Sequence, residues 1–319
     1  MFDTLNIWIP REAIGDTPDH AYSEYQRLIN EMDTIKKNIK GNDVYRFNLD
    51  NFAVLIFDEG ISIKGSLAKY HFGNNFETLN INSAYRAVKR LEFDLKVPVL
   101  KAEVRRIDFS TNFILPEIPN YYYGYLLDAP RTKRELKNTS LYFTNKSKQL
   151  LFYDKIEWAK KENPDIPISW VGKNILRYEY RFFRDSIKKL SSKKVLLGDL
   201  IKPDIYIQIL DKWQTEYFKI QKKKEFIIDY YSINKPKDFF DMLLAESLKQ
   251  KDYHEHIDLL EQMKVRKVFK NRSDYTRVKK RLTKHYVQGY ATTTKNPLEP
   301  LNQAVLNHYS NELKSIESE

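Results

Sequence analysis

Two segments of this chain alternate so strictly that each reads as a two-faced β-strand. In Val104–Phe113, Ile107, Phe109, Thr111 and Phe113 fall on one side, and Arg106, Asp108, Ser110 and Asn112 on the other. In Ile175–Phe183, Leu176, Tyr178, Tyr180 and Phe182 oppose Arg177, Glu179 and Arg181. Successive side chains in a strand point to opposite faces, so each segment offers one apolar and one charged face. A sheet carrying both has a core on one side and a polar surface of carboxylates and arginines on the other.

A third segment, Leu150–Glu157, reads as a strand with Tyr153, Lys155 and Glu157 on one face. A tyrosine, a cation and a carboxylate side by side suit attack of a phenolate on a phosphodiester, with Lys155 stabilising the phenolate or the phosphorane charge. The same pattern also fits a solvated strand face with a surface Lys–Glu pair, and Tyr153 is one of 22 tyrosines. If the three strands are neighbours, Asp108 and Glu179 converge on Tyr153. Hard oxygen ligands of that kind suit Mg²⁺ or Mn²⁺. Each carboxylate can equally pair with an adjacent arginine: Arg106 for Asp108, Arg177 or Arg181 for Glu179. His71, read as ending a strand just before Gly73-Asn74-Asn75, is a further candidate ligand, although a lone histidine is more often structural.

The rest of the first half mixes strand and helix patterns. Thr4–Ile9 is a short strand. Tyr22–Lys37 has helical spacing. Val44–Phe57 and Ile61–Phe72 form two strands around an Asp58-Glu59-Gly60 turn. Ser83 is placed to cap a helix with Ala84, Ala87, Val88, Leu91 and Leu95 inward. Asn120–Leu127 is an aromatic-rich helix candidate, and basic Arg131–Lys137 follows. Pro164 and Pro167 mark a loop. Beyond about residue 185 the pattern turns helical, with connections at Lys222–Lys224 and Pro236 and a polar, frayed tail from Ser310 to Glu319. Tyr253–Met263 precedes a helix capped by Ser273, with Tyr275, Val278, Leu282 and Tyr286 inward and Arg277, Lys280, Arg281 and Lys284 outward, a helix-turn-helix or winged arrangement. The expected fold is α+β. A largely antiparallel sheet with helices on one face spans 1–188, and a smaller, mostly helical basic region spans 189–319.

Charge and motif content narrow the function. The net charge is +11, and Gln262–Tyr286 carries ten Lys/Arg against one Asp. That concentration points to a polyanionic partner. The absence of cysteine excludes disulfides and thiolate metal sites and suits an intracellular protein. No apolar run approaches the ~20 residues of a membrane helix. Met1–Pro10 lacks the basic flank and cleavage site of a signal peptide, so a cytoplasmic protein with no membrane partner is expected. P-loop, GxGxxG, HExxH and GxSxG motifs are missing, which disfavours nucleotide-driven motors and the common hydrolases.

Five segments, in order along residues 1 to 190, resemble the rolling-circle replication initiators of the filamentous-phage gene II/X type, found on phages and plasmids. They are MFDTLNIWIP, IKGSLAKYHFGNN, VRRIDFSTNF, LLFYDKIE and ILRYEYRFFR. The Tyr-Asp-Lys and Arg-Tyr-Glu-Tyr-Arg pieces are also similar to the staphylococcal plasmid initiators. The resemblance implies a site-specific DNA nickase with Tyr153 as nucleophile and Lys155 beside it. It implies Asp108 and Glu179 as carboxylates for Mg²⁺ or Mn²⁺. The His-hydrophobe-His motif of the wider nicking superfamily is absent. Asn74 stands where the phage protein has its histidine, and His71 lies three residues earlier. The implied product is a 5′-phosphotyrosine and a free 3′-OH that primes a host polymerase, with a host helicase as a further partner. Duplex origin DNA and single-stranded DNA would be gripped by Arg106 and Arg177 on the strand faces and by Arg277, Lys280, Arg281 and Lys284 on the basic helix. Two alternatives remain open at this stage: a non-catalytic origin-binding or regulatory protein, and a conjugative relaxase.

Overall fold

The computed structural model of the chain describes residues 1–15, 17–32, 34–39, 42–162, 166–223, 225–226, 233, 235–249, 252–288 and 294–317. Pro164, Lys224 and the last two residues of the tail lie outside them. Ten strands alternate with helices: β1 (Phe2–Pro10), α1 (Pro18–Glu31), β2 (Ile35–Ile39), β3 (Asn42–Leu49), β4 (Phe52–Phe57), β5 (Gly60–Ser66), α2 (Leu67–Phe72), α3 (Ile81–Leu95), β6 (Glu103–Ile114), α4 (Pro119–Tyr123), β7 (Lys133–Lys137), β8 (Ser140–Thr144), β9 (Lys148–Asp154), α5 (Lys155–Glu162) and β10 (Ile175–Phe183). They form one sheet, ordered β2-β3-β4-β5-β1-β6-β10-β9-β8-β7, and every adjacent pair is antiparallel. Helices follow: α6 (Arg184–Ile187), α7 (Leu197–Leu200), α8 (Pro203–Phe218), α9 (Pro236–Lys249), α10 (Tyr253–Val265), α11 (Arg272–Gln288) and α12 (Glu299–Glu317). The expected α+β architecture is the observed one.

One apolar face of the sheet carries the core. Ile107, Phe109 and Phe113 of β6 and Leu176, Tyr178 and Phe182 of β10 are buried there with residues of α1, α3, α8 and α12. Rings stack through it: Phe152 lies 4.7 Å from Tyr178 at 8°, and Tyr178 lies 5.1 Å from Trp213 of α8. This core runs across position 188. Tyr206, Ile209 and Trp213 of α8 and Leu301 and Val305 of α12 belong to it. A second, smaller cluster joins Leu248, Tyr253 and Tyr286 of α9–α11 to Leu127. There the Tyr253 hydroxyl donates to Asp128 at 2.7 Å, and Lys279 pairs with Asp128 at 3.1 Å.

Several element boundaries differ from the sequence reading, each for a local reason. The first helix starts at Pro18, where the Thr17 hydroxyl accepts the His20 N–H, and it ends by Met32, which is extended; Lys36 and Lys37 lie in β2. The strand expected over Val44–Phe57 is two strands, because Asp50 turns the chain at φ +48°. The partner strand stops at Ser66, whose hydroxyl accepts the Lys69 N–H at 3.1 Å and starts α2. His71 therefore sits on a helix that Gly73 closes at φ +76°. Asn80, not Ser83, caps α3, its side chain accepting the Ser83 N–H at 2.9 Å. The aromatic helix is the single turn Pro119–Tyr123. Pro236 opens α9 rather than a connection, Ser273 lies inside α11, Val278 is exposed, and the tail is helical to Glu317.

The boundary that matters most is at Asp154. The expected strand Leu150–Glu157 ends there, because the Asp154 carboxylate accepts the N–H groups of Ile156 and Glu157, both at 3.0 Å, and caps α5. Glu157 thus leaves the Tyr153 face. It is half-exposed and pairs with Lys160.

Candidate active site

Strand register brings the polar residues together. Tyr153 of β9 lies opposite Arg177 of β10, which lies opposite Asn112 of β6. Two residues along, Glu179 sits between Leu151 and Ser110. Two further, Arg181 faces Asp108. Residues directly opposite on one face have Cβ atoms roughly 4.5–5.5 Å apart, so the alternation seen in three separate segments becomes one contiguous charged surface. A cavity of about 380 Å³ opens on it, lined by Asp3, Ser66, Lys69, Asp108, Tyr142, Tyr153, Trp158, Glu179 and Arg181 among others. Lys155 and Arg177 do not line it.

Asp108 and Glu179 are both buried and both held by arginine. Arg106 meets Asp108 as a fork, Nε to Oδ1 at 2.8 Å and Nη2 to Oδ2 at 2.6 Å. Arg181 donates from Nε to Glu179 at 2.5 Å and from Nη1 to Gln149 at 2.8 Å. Burial, then the nearby Glu179 charge, pushes the Asp108 carboxyl up to about 7 against the pull of Arg106 and Arg181. Among the described residues no group of three or more His, Cys, Asp or Glu is arranged to hold a metal ion. Asp108 and Glu179 are each paired with arginine, and two carboxylates are as many as a hard cation commonly takes, the rest of its shell being water and phosphate oxygens.

Tyr153 is 5% exposed at the cavity wall, and among the described residues its hydroxyl makes no hydrogen bond. Burial raises its phenol well above the ordinary tyrosine range, and Arg177 is the first influence opposing that rise. Lys155 opens α5 beneath the surface. Its Nζ donates to the Asn75 side-chain oxygen at 2.5 Å and stands 4.5 Å from the Trp158 ring centre and 4.8 Å from that of Phe76. Burial, then the Arg177 charge, brings its amine down to about 6.

The sequence-predicted residues are thus divided by the fold. Tyr153, Asp108, Glu179 and Arg106 come together at the cavity, with Lys155 and Arg177 directly behind it. His71 does not line it. Burial and the charges of Arg86 and Arg90 on α3 lower its imidazole. Arg177, expected to touch DNA, is buried at 1% exposure, because it fills the space between β1, β6 and the 75–76 turn. Arg277, Lys280, Arg281 and Lys284 lie far along the chain on exposed faces of α11, with Arg277 paired to Asp274. The sequence reading missed Asp3, Ser66, Lys69, Asn75 and Trp158. Lys69 and Ser66 lay within a recognised segment, yet nothing in their spacing aimed them at Tyr153.

Among the described residues no helix is long and apolar enough to cross a membrane. No curated protein matches the chain. The Phage CRI family model, described as the N-terminal part of a replication-associated protein, matches residues 1–216. That span contains the whole ten-stranded sheet, and the chain belongs to this family.

Proposed function

We propose that this member of the phage replication-associated protein family nicks and rejoins DNA at a replication origin through a covalent link to Tyr153. The observation that carries the reading is a tyrosine hydroxyl, without a hydrogen bond among the described residues, on the wall of a cavity it shares with three carboxylates, Asp3, Asp108 and Glu179, and two arginines, Arg106 and Arg181. A single strand laid across this face would place its scissile phosphate against Tyr153. The phenolic oxygen would form a bond to phosphorus while the bond to the 3′ oxygen breaks, leaving a 5′-phosphotyrosine and a 3′-hydroxyl. Arg106, Arg181 and Lys69 line the cavity and would offset phosphate charge. Attack by a later 3′-hydroxyl on the phosphotyrosine would rejoin the strand without ATP.

Asp108 and Glu179 would hold Mg²⁺ or Mn²⁺, which would polarise the phosphate oxygens when bound. The arginines now paired with them would then turn toward the incoming phosphate. Duplex DNA would be held by α11, whose Lys279, Lys280 and Lys284 border a groove of about 630 Å³ against Asp128–Pro130. Within Arg131–Lys137, Arg134 is occupied internally, donating to the carbonyls of Tyr123 and Leu126.

The test uses labelled single-stranded oligonucleotides tiled across the DNA around the chain's own gene, with Mn²⁺ present. The full-length protein should form a covalent adduct with one of them. Asp108→Asn and Glu179→Gln should each lower the rate by about 100-fold or more. Duplex binding without cleavage of any oligonucleotide would instead indicate a DNA-binding protein without this chemistry.

A further inference from the structure

Arg177 is the site arginine that DNA reaches least. Its side chain is 1% exposed, against 27% for Arg106 and 25% for Arg181. Four acceptors fix it: Asp3, the Ser110 hydroxyl at 2.6 Å, the Asn112 side-chain oxygen at 3.2 Å and the Asn75 carbonyl at 2.9 Å. Asp3 in turn accepts from the Ser66 hydroxyl at 2.5 Å. So many bonds on a fully buried guanidinium leave it one orientation.

We propose that Arg177, locked by Asp3, is a positioning residue that supplies the fixed positive charge against which the Tyr153 hydroxyl gives up its proton. The proposal rests on Tyr153 being the nucleophile. Three observations carry it. Arg177 and Tyr153 are directly opposed in the β9–β10 register. The Arg177 Nε is buried without a hydrogen-bond partner among the described residues, with a Glu179 carboxylate oxygen 3.7 Å away. Lys155, the obvious cation by sequence, is turned to Asn75 and sandwiched by rings, away from the cavity lining. The electrostatics of Tyr153 are consistent with this geometry. After burial, Arg177 is the leading influence that lowers the Tyr153 phenol, with Glu179 and Asp3 acting the other way and Arg181 assisting.

The chemistry needs no further reactant. The Tyr153 oxygen bonds to phosphorus, the bond to the 3′ oxygen breaks, the phenolic proton passes to solvent and the 3′ oxygen takes one up. Arg177 keeps its protons throughout and acts by charge in a water-poor site, where a fixed dipole or charge has most effect.

Single-turnover adduct formation with the oligonucleotide that wild type cleaves, in Mn²⁺, tests this. Tyr153→Phe must first be inactive; if it is not, the reading of the nucleophile fails and this inference with it. Given that, Arg177→Gln should slow adduct formation by about 100-fold with unchanged oligonucleotide affinity, and Arg177→Lys by less. With 3,5-difluorotyrosine in place of Tyr153, a more acidic phenol, the Arg177→Gln protein should regain at least about ten-fold, because less help is then needed to ionise the nucleophile. If Arg177→Gln does not fold, Arg177→Lys reports the same rescue. Arg177→Gln cleaving within about threefold of wild type, or a defect that difluorotyrosine leaves untouched, would overturn the proposal while leaving Tyr153 as nucleophile.

Discussion

Lys155 has 0% exposure and keeps its amine among two aromatic rings and the Asn75 amide oxygen. Its amine is brought from 10.5 down to about 6, chiefly by burial. Between those two values the unfolded chain binds a proton there that the folded chain does not. Stability must therefore rise with pH across that window, by about 1.4 kcal/mol per pH unit for this one group. Lys155→Met should remove that slope. Urea unfolding of wild type and variant at pH 7 and pH 9 reads it out, and parallel pH dependences would show that Lys155 is charged in the folded state. At the same scale, Asp3 shows why part of the site was invisible in the sequence. It sits where the β1–β6 register slips between Phe2 and Leu5. A side chain at an irregularity does not follow the two-residue period, so no alternation pattern could aim Asp3 at Arg177.

Among the elements, β6 and β10 were readable almost to the residue because each is a central strand with one apolar and one polar, charged face. Period two then leaves little freedom. The end of β9 was not readable, because Asp154 continues the alternating pattern and is also a good helix cap; the choice is made by its two hydrogen bonds to the α5 backbone. The Asp50 turn carries neither glycine nor proline at its tip, so two strands read as one. The cap at Asp154 has a functional consequence. It fixes the first turn of α5, which delivers both Lys155 and Trp158 to the region of Tyr153. Asp154→Ala should cost about 0.5–2 kcal/mol of stability, measurable as a lower urea midpoint. It should slow nicking further than that loss of folded protein accounts for. An unchanged midpoint would mean that packing, not the cap, sets the start of α5.

For the whole molecule, the family match stops at residue 216 while the core of the sheet does not. Helix α12 returns from the far end of the chain, with Leu301 and Val305 fully buried, His308 bonded to Thr111 at 3.1 Å and Glu312 accepting from Tyr206 at 2.5 Å. The sequence signalled helices here but not their docking, since helical spacing says which side is apolar and not what covers it. The arrangement ties the basic α10–α11 pair to the same body as the charged sheet face, through Leu127 and Asp128. Duplex holding and strand cleavage should therefore be separable by mutation. Replacing Lys280, Arg281 and Lys284 with alanine should weaken origin-duplex binding and reduce the slope of log K against log salt by up to about 3. Adduct formation on the single-stranded oligonucleotide should stay near wild type. A triple variant that loses both together would place α11 at the cleaved strand instead.

The most direct measurement of the central claim is the position of the covalent link. After reaction with the cleaved oligonucleotide in Mn²⁺, nuclease and trypsin digestion followed by mass spectrometry should find a nucleotide joined through its 5′-phosphate to Tyr153 and to no other tyrosine, and Tyr153→Phe should yield no adduct. A phosphotyrosine mapped elsewhere, or an undiminished adduct from Tyr153→Phe, would contradict the account.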